Sequence, residues 1–178
     1  TLIDATTFEE NFANRWDNET QLCYEVEVWK HDAWAPLEKY QGSLCNQGSR
    51  HAEFCFLDLV SLWPLDKGKQ YRLTWYISWS PSYHCAQKLV KFLGEKSNVR
   101  LRIFAAGISE IVSRFEDGLR DLRDAGAELA IMTLTEYEHC WDTFVDNQGQ
   151  PFHPWTELEK NIGAQCQRLE NILRNQGN

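Results

Sequence analysis

The sequence lacks the patterns that place a chain in a membrane or in a disulfide-stapled scaffold. No stretch of its 178 residues approaches the roughly 20 apolar residues that a membrane span requires. The N-terminal segment TLIDATTFEENF has neither a basic start nor an apolar run, so we expect no signal peptide. The six cysteines are scattered without a C-x-x-C pair, which is typical of reduced, intracellular proteins. We therefore expect a cytoplasmic location, with the nucleus open as a second compartment.

Nucleotide-binding loops, internal repeats and flexible linkers are absent as well. The chain contains no G-x-G-x-x-G and no G-x-x-x-x-G-K, which excludes the dinucleotide-cofactor and ATP classes that use these loops. Its length predicts one domain spanning residues 1–178. The net charge of −8 argues against strong, indiscriminate nucleic-acid binding, although it leaves room for a local basic groove.

The spacing of apolar residues along the chain predicts an α/β sandwich with a mixed sheet. Alternation in QLCYEVEVW predicts a first strand, and APLEKYQGSL is its candidate partner. A β-α-β-α-β succession follows, with strands in YRLTWYIS, VRLRIFAA and ELAIMT and helices beginning at HAEFCFLDLV, CAQKLVKFLG and VSRFEDGLRDLRDAG. The later strands should be parallel, because right-handed crossovers connect them.

Local signals predict where several helices begin and end. Capping boxes place one helix start at Thr7 with Glu10 and another at Thr135 with Glu138. Gly126 should close the helix that precedes the last strand of the sheet. The segment PWTELEKNIGAQCQRLENILR predicts a terminal amphipathic helix with its proline near the start.

Two of these helix starts carry residue types that bind metals. His51 and Glu53 stand in HAE, and Cys85 ends SWSPSYHC, with Ser82 three residues before it on the same helix face. Helix N-termini favour thiolates and anionic hydroxide, so His51 and Cys85 can share one metal if the two ends meet. Glu53 is suitably placed to move a proton of a metal-bound water. A lone H-x-E or a lone buried cysteine is a weak signal, but their conjunction is specific.

This conjunction resembles the APOBEC family of zinc-dependent polynucleotide cytidine deaminases, whose pattern is H-x-E followed by P-C-x-x-C. The resemblance covers nearly the whole chain and is closest to the antiviral subgroup; it includes LCYEVE, RHAEFCFLDL, YRLTWYISWSP, VRLRIFAA, AGAELAIMT, CWDTFVDNQGQPFHPW and LENILRNQGN. It implies a cytidine-deaminase-like three-layer sandwich with a five-stranded mixed sheet flanked by about six helices. It also implies hydrolytic C-to-U deamination of single-stranded DNA in antiviral restriction.

The resemblance assigns roles to individual positions. His51 and Cys85 match two zinc ligands, and Glu53 matches the general acid/base. A second set lies at the pocket around the target nucleotide: Asn46 matches the sugar contact, Trp79 matches the aromatic wall, and Ser78 and Ser80 frame the pocket, with Ser109 at the substrate-binding position where the family usually has a tyrosine. The implied partners are single-stranded DNA, RNA as a further nucleic acid, and a viral or host protein. A monomer or weak oligomer away from membranes is expected.

The sequence departs from the family pattern around this one pocket. Ser82 stands where the third zinc ligand is expected, and a neutral hydroxyl is a poor substitute for a thiolate. His84 cannot easily replace it, since it lies roughly 100° around the helix from Cys85. Gly107 and Ser109 occupy the places of a usual arginine and tyrosine. The first loop carries acidic Asp17 and Glu19, where the family often has basic residues. We expect weakened zinc occupancy and little or no deamination.

Two function classes stay open at this point. One is a zinc-dependent single-stranded DNA cytidine deaminase whose activity is impaired by Ser82 at the ligand position and by the altered residues at the rim of the pocket, which are Gly107, Ser109, Asp17 and Glu19. The other is a non-catalytic pseudo-deaminase, or an engineered module, that binds nucleic acid or a protein partner. The retained Glu53 argues against deliberate inactivation, because it is the residue usually removed for that purpose.

Overall fold

A mixed β-sheet organises the chain in the computed structural model, which describes residues 1–17 and 19–175. The strands are β1 (Ile3–Asp4), β2 (Gln21–Lys30), β3 (Ala33–Pro36), β4 (Gly42–Cys45), β5 (Tyr71–Trp79), β6 (Val99–Gly107), β7 (Glu128–Ile131) and β8 (Val145–Asp146). The helices among these residues are α1 (Ala5–Phe12), α2 (Ala52–Val60), α3 (Tyr83–Glu95), α4 (Phe115–Asp124), α5 (Leu134–Phe144) and α6 (Leu158–Arg174). Two segments compared with the family above, the first loop with Asp17 and Glu19 and the C-terminal LENILRNQGN, include Asn18 and residues 176–178. These residues lie outside the described part of the chain.

The main sheet has the order β3-β2-β5-β6-β7, and β4 also pairs with β2. Strand β2 is antiparallel to β3, β4 and β5, whereas β5, β6 and β7 are parallel to one another. The predicted parallel strands and the α/β class with a mixed sheet are therefore confirmed. A separate parallel pair joins β1 to β8. Among the described residues, no helix is long and apolar enough to cross a membrane.

The predicted single partner strand for β2 is wrong, because it is two short strands separated by a turn. Strand β3 pairs with the distal half of β2, and β4 pairs with its proximal half. Strand β3 ends at Pro36, which has no backbone N–H to donate, and the chain then makes a 3-10 turn over Glu38–Tyr40 before β4. The sheet therefore has six strands rather than five.

Both faces of the sheet are covered, which makes the three layers. Because side chains alternate along a strand, Leu22 and Trp75 pack on one face while their neighbours Cys23 and Tyr76 pack on the other. Helices α2, α3 and α4 and the end of α6 cover the first face. Helices α1 and α5 cover the second. The helix that begins just after His51 and the helix that begins just after Ser82 thus lie in the same layer.

The first predicted capping box is wrong. Helix α1 begins at Ala5, and the side chain of its N-cap Asp4 accepts a hydrogen bond from the Thr7 backbone N–H at 3.2 Å. Phe8 and Phe12, four residues apart, lie on the buried face of this helix. An aspartate is as good an N-cap as a threonine, and the helix begins about one turn earlier than predicted.

The second predicted capping box is displaced by two residues. The sequence TLTEYE offers two T-x-x-E frames, and the observed box joins Thr133 to Glu136, with the Thr133 N–H donating to the Glu136 carboxylate at 2.8 Å. Helix α5 begins at Leu134 and buries Tyr137 on the second face of the sheet. Gly126 follows α4 at a φ of +101°, as predicted for a residue that ends a helix.

The terminal helix begins later than predicted. Helix α6 starts at Leu158, after Glu157 in a left-handed conformation, and not near Pro154. Trp155, which precedes it, packs edge-on against Tyr137 with ring centroids 5.5 Å apart. This packing holds the segment before α6 in an irregular path.

An ion pair between helix α5 and strand β2 should make the folding stability depend on pH. His139 of α5 pairs with Glu25 of β2, and the hydrogen bond to Glu25 raises the pKa of His139 above its ordinary value despite partial burial. Its charge interactions with Asp142 and Glu136 act in the same direction. A raised folded pKa means that the stabilisation is complete below the unfolded pKa of about 6.5 and is lost as pH rises through the folded value.

We therefore expect the free energy of unfolding in urea to fall as pH rises above about 6.5. His139→Gln should remove that slope, because glutamine keeps a polar contact to Glu25 but does not titrate. Parallel pH profiles for the two proteins would contradict the assignment.

Candidate active site

Two helix starts meet at the site. His51 is the N-cap of α2 in extended conformation, and the Asn46 side chain satisfies the first helical amide by accepting from the Ala52 N–H at 2.9 Å. Ser82 is the N-cap of α3, and its hydroxyl accepts from the Cys85 N–H at 3.4 Å. These caps fix where each helix begins, and so they fix where the side chains of the first turns lie.

The structure brings His51, Glu53 and Cys85 together. His51 Nδ1 lies 3.3 Å from Cys85 Sγ. One ligand atom from each of the three residues lies within 4.8 Å of the other two. Glu53 is 4% exposed and Cys85 is 1% exposed, whereas His51 is exposed on the rim. The arrangement could hold a metal ion, and the individual roles of the three residues stay predictions.

Burial dominates the electrostatics of the group. It raises the pKa of the Glu53 carboxyl above its ordinary value, an effect that a backbone hydrogen bond, the charge of His51 and a hydrogen bond with Cys85 partly offset. Burial and the neighbouring charge of Glu53 raise the pKa of the Cys85 thiol to about 12. Glu53 Oε1 has no hydrogen-bond partner in the described part of the chain. A cation would stabilise the charged forms of both acidic groups at once.

The residues fit a metal ion but not the three-ligand hydrolytic zinc centre that the family resemblance implies. Imidazole and thiolate suit zinc, but a hydrolytic centre needs a third protein ligand and an open position for water. Ser82 offers only a neutral hydroxyl, which caps α3. His84 is exposed, packs edge-on against Phe54 at 5.4 Å between ring centroids, and is outside the metal-binding group.

The predicted pocket serines serve the framework of the strand ends. Ser78 is fully buried, and its hydroxyl accepts from the Gln21 N–H at 2.9 Å. The Ser80 hydroxyl accepts from the Ser109 N–H at 3.0 Å. Both bonds tie the end of β5 to its neighbours, so these hydroxyls hold the walls of the site in place. Their predicted contact with substrate stays a prediction.

Trp79 and Ser109 line a common cleft between the first loop, the end of β6 and α6. The Trp79 indole N–H donates to the Trp16 carbonyl at 2.9 Å, which holds its ring against the first loop. Among the described lining residues of this cleft, none belongs to the His51, Glu53 and Cys85 group.

The charges at the cleft are acidic or paired. Asp17 lines it, Glu19 is exposed in the same loop, and Arg168 of α6 forms an ion pair with Glu110. The positive charge of Arg168 is thus partly neutralised by Glu110. An acidic edge repels a phosphate backbone, which argues for weak nucleic-acid binding here.

Asn14 is a residue of the site that the sequence alone did not single out. Its amide donates to the Ser78 carbonyl at 2.7 Å and joins the first loop to the end of β5. Its side chain fills the space above Gly107, where an added Cβ would lie 2.3 Å from Asn14 Oδ1. The signal that the sequence offers is an asparagine just after the first helix, because asparagine is the usual non-glycine residue in the left-handed conformation that Asn14 adopts there, with a φ of 56°.

The contact between Asn14 and Gly107 should be measurable as a coupling energy. We expect Gly107→Ala to destabilise the fold by about 1–2 kcal/mol, because the added methyl group displaces the Asn14 amide from its hydrogen bond. The same substitution should cost about 1 kcal/mol less in an Asn14→Ala background, where the 3.2 Å approach of the new Cβ to Trp79 Cζ3 remains. Urea unfolding of the four proteins gives the coupling.

Gly163→Ala is the matched control, since a Cβ there meets nothing within 4 Å and the glycine lies inside α6. It should stabilise the protein by up to about 1 kcal/mol. Equal costs of Gly107→Ala in both backgrounds would show that the asparagine does not occupy the space above Gly107 in solution.

Comparison with known proteins relates the whole described fold to one family. The family model described as APOBEC3, cytosine deaminase domain, matches residues 1–173. The chain is 47% identical over 189 residues to the DNA dC→dU-editing enzyme APOBEC-3G of Erythrocebus patas, covering 99% of this chain and 49% of that protein. The corresponding enzymes of Papio anubis and Pongo pygmaeus are 47% and 46% identical, with the same coverage. The chain spans about half the length of the curated relatives it matches.

Proposed function

Because this chain belongs to the APOBEC3 cytosine deaminase family, we propose that it is a zinc-dependent DNA cytidine deaminase domain whose turnover is impaired by Ser82 and by its altered rim. The observation that carries the proposal is the meeting of His51, Glu53 and Cys85 at two helix N-termini. The relatives are named DNA dC→dU-editing enzymes, which supports DNA as the substrate ahead of RNA.

Deamination of cytosine adds water at C4 and releases ammonia, which leaves uracil. A group is needed that takes a proton from the attacking water, gives one to N3 and helps the amine leave. Glu53 suits this task, since burial raises the pKa of its carboxyl towards the range in which it can both accept and donate a proton. Zinc supplies activation of the water in such enzymes. With two of the usual ligands in place, we expect that activation to be weak.

The pocket for the base is proposed at the end of β5. Trp79 would provide the aromatic wall, because its ring is held in place through its bond to the first loop. Asn46 would contact the sugar from the start of α2, where its side chain already receives the Ala52 amide. Ser109 in place of an aromatic residue removes a stacking partner worth about 1–3 kcal/mol per base. The proposed substrate is therefore bound weakly.

A second candidate is a non-catalytic module that binds a protein partner. The observation in its favour is the surface around the cleft, where the exposed apolar side chains of Trp16, Ile111 and Val112 lie beside acidic Asp17 and Glu110. Such a surface suits a basic partner segment with apolar side chains better than it suits a phosphate backbone.

The experiment is C-to-U conversion on a single-stranded oligonucleotide that carries one cytosine, with purified protein supplied with zinc. We expect low conversion that Glu53→Gln abolishes and that an equivalent duplex does not support. Conversion that survives Glu53→Gln would show a contaminant and sink the proposal. Absence of any conversion above the Glu53→Gln level would favour the non-catalytic candidate.

A further inference from the structure

The carboxylate of Glu53 differs from the other groups of the site in having a buried oxygen with nothing to bind. Its side chain is 4% exposed, and Oε1 has no hydrogen-bond partner among the described residues. Leaving a buried carboxylate oxygen unpaired costs more than leaving a neutral group unpaired. One oxygen of the same carboxylate belongs to the group of ligand atoms that His51 and Cys85 form. The side chain is thus placed as a metal ligand would be.

We propose that Glu53 itself binds the metal in this chain and takes the coordination position that a cysteine at Ser82 would fill. The centre would then be His51, Cys85 and Glu53, with one nitrogen, one sulfur and one oxygen donor. This inference rests on the proposed function only in assigning a metal to the group; it departs from it in giving Glu53 a different task.

The geometry of the pair already present suits a metal. Zinc bonds of about 2.0 Å to nitrogen and 2.3 Å to sulfur at a tetrahedral angle place the two ligand atoms about 3.5 Å apart. His51 Nδ1 and Cys85 Sγ are 3.3 Å apart. The Glu53 carboxylate lies within the same 4.8 Å group, and glutamate oxygen is an ordinary third ligand for zinc.

Charge balance favours the carboxylate once the second thiolate is lost. A divalent cation bound by two thiolates is neutral, and a nearby carboxylate gains little by joining it. A divalent cation bound by one thiolate keeps a net positive charge in a buried setting, where an adjacent anion is strongly attracted. The neutral hydroxyl of Ser82 offers no such charge, and it already accepts from the Cys85 N–H.

The consequence is that one substitution would remove two functions. Loss of the thiolate at position 82 removes a ligand, and the binding of Glu53 to the metal then occupies the carboxylate that should carry protons. A glutamate that is bound to the metal is not available as a general acid/base. The impairment would therefore exceed what weaker metal binding alone produces.

The test is zinc affinity, measured by competition with a chromogenic chelator on the whole chain, in a double-mutant cycle of Glu53→Gln and Ser82→Cys. We expect Glu53→Gln to weaken zinc binding about 10–100-fold in the Ser82 chain and less than about threefold in the Ser82→Cys chain. Asp58→Asn is the matched control, because Asp58 is an exposed carboxylate on the same helix that pairs with Arg50. It should leave zinc affinity unchanged in both backgrounds.

Circular dichroism in the absence of zinc checks that each variant is folded, and Glu53→Ala repeats the test if the glutamine variant is not. Equal effects of the Glu53 change in both backgrounds, or none in either, would overturn the inference. Failure of the Ser82 chain to bind zinc where the Ser82→Cys chain binds it would overturn it too. The readout is independent of deamination, so loss of the proposed function leaves this result standing.

Discussion

Replacing Ser82 by cysteine is expected to raise zinc affinity by at least about 100-fold and to raise single-stranded DNA deamination by a comparable factor. Changes in groups that only support metal ligands alter affinity or activity about 10–100-fold, and a ligand itself should matter more. The new thiolate would replace the Glu53 carboxylate as the third protein ligand, with one position left for water. It would also release Glu53 from the metal to act on protons.

The same substitution should cost stability when no metal is bound. Ser82 caps α3 through its hydroxyl, and loss of a serine N-cap typically costs about 1 kcal/mol. In the presence of zinc, Ser82→Cys should instead raise the free energy of unfolding. A ligand that binds only the folded state stabilises it in proportion to the logarithm of the ligand concentration over its dissociation constant. Urea unfolding with and without zinc measures both effects.

Ser82→Ala is the matched control for this experiment. It removes the cap without supplying a ligand, so it should lose stability in the absence of zinc and gain neither zinc affinity nor turnover. If Ser82→Cys also bound zinc no better than the unmodified chain, position 82 would not face the metal. If it bound zinc tightly without turnover, the remaining impairment would lie in the rim.

Much of the fold follows from patterns that have one physical solution. The alternation in β2 and the apolar runs of β5 and β6 were predicted because each strand buries at least one face. The break between β3 and β4 was not predicted, because a run of mixed residues around Pro36 does not show where the pairing with β2 is interrupted. The capping boxes were misplaced because more than one nearby residue can cap each helix: Asp4 or Thr7 for α1, and Thr133 or Thr135 for α5.

The site was predictable to the extent that it depends on helix starts. Residues at the N-termini of α2 and α3 could be grouped because such ends stabilise thiolates and anionic hydroxide, and an imidazole and a thiolate are ligands that one metal ion can share. The role of Asn14 could not be predicted in this way, because its hydrogen bond to the Ser78 carbonyl joins segments far apart in sequence. The orphaned oxygen of Glu53 likewise depends on three-dimensional surroundings that no spacing encodes.

Restoring an aromatic ring at the cleft is the second large effect that we expect. In a Ser82→Cys background, Ser109→Tyr should lower the KM for a single-stranded oligonucleotide about tenfold while changing kcat by less than about twofold. Stacking of a base on an aromatic side chain is worth about 1–3 kcal/mol, and a contact made equally in the ground and transition states acts on KM alone. Ser109 lines the cleft beside Trp79, so the new ring would enter the space between them.

The fold should tolerate this change, because Ser109 contributes its backbone N–H and not its hydroxyl to the bond with Ser80. Ser113→Tyr is the matched control, since it adds the same ring at an exposed position of the loop. A general gain in nucleic-acid affinity from an extra tyrosine would appear in both variants. A gain in Ser109→Tyr alone would locate the base beside Trp79, whereas no gain in Ser109→Tyr would place the base away from this cleft.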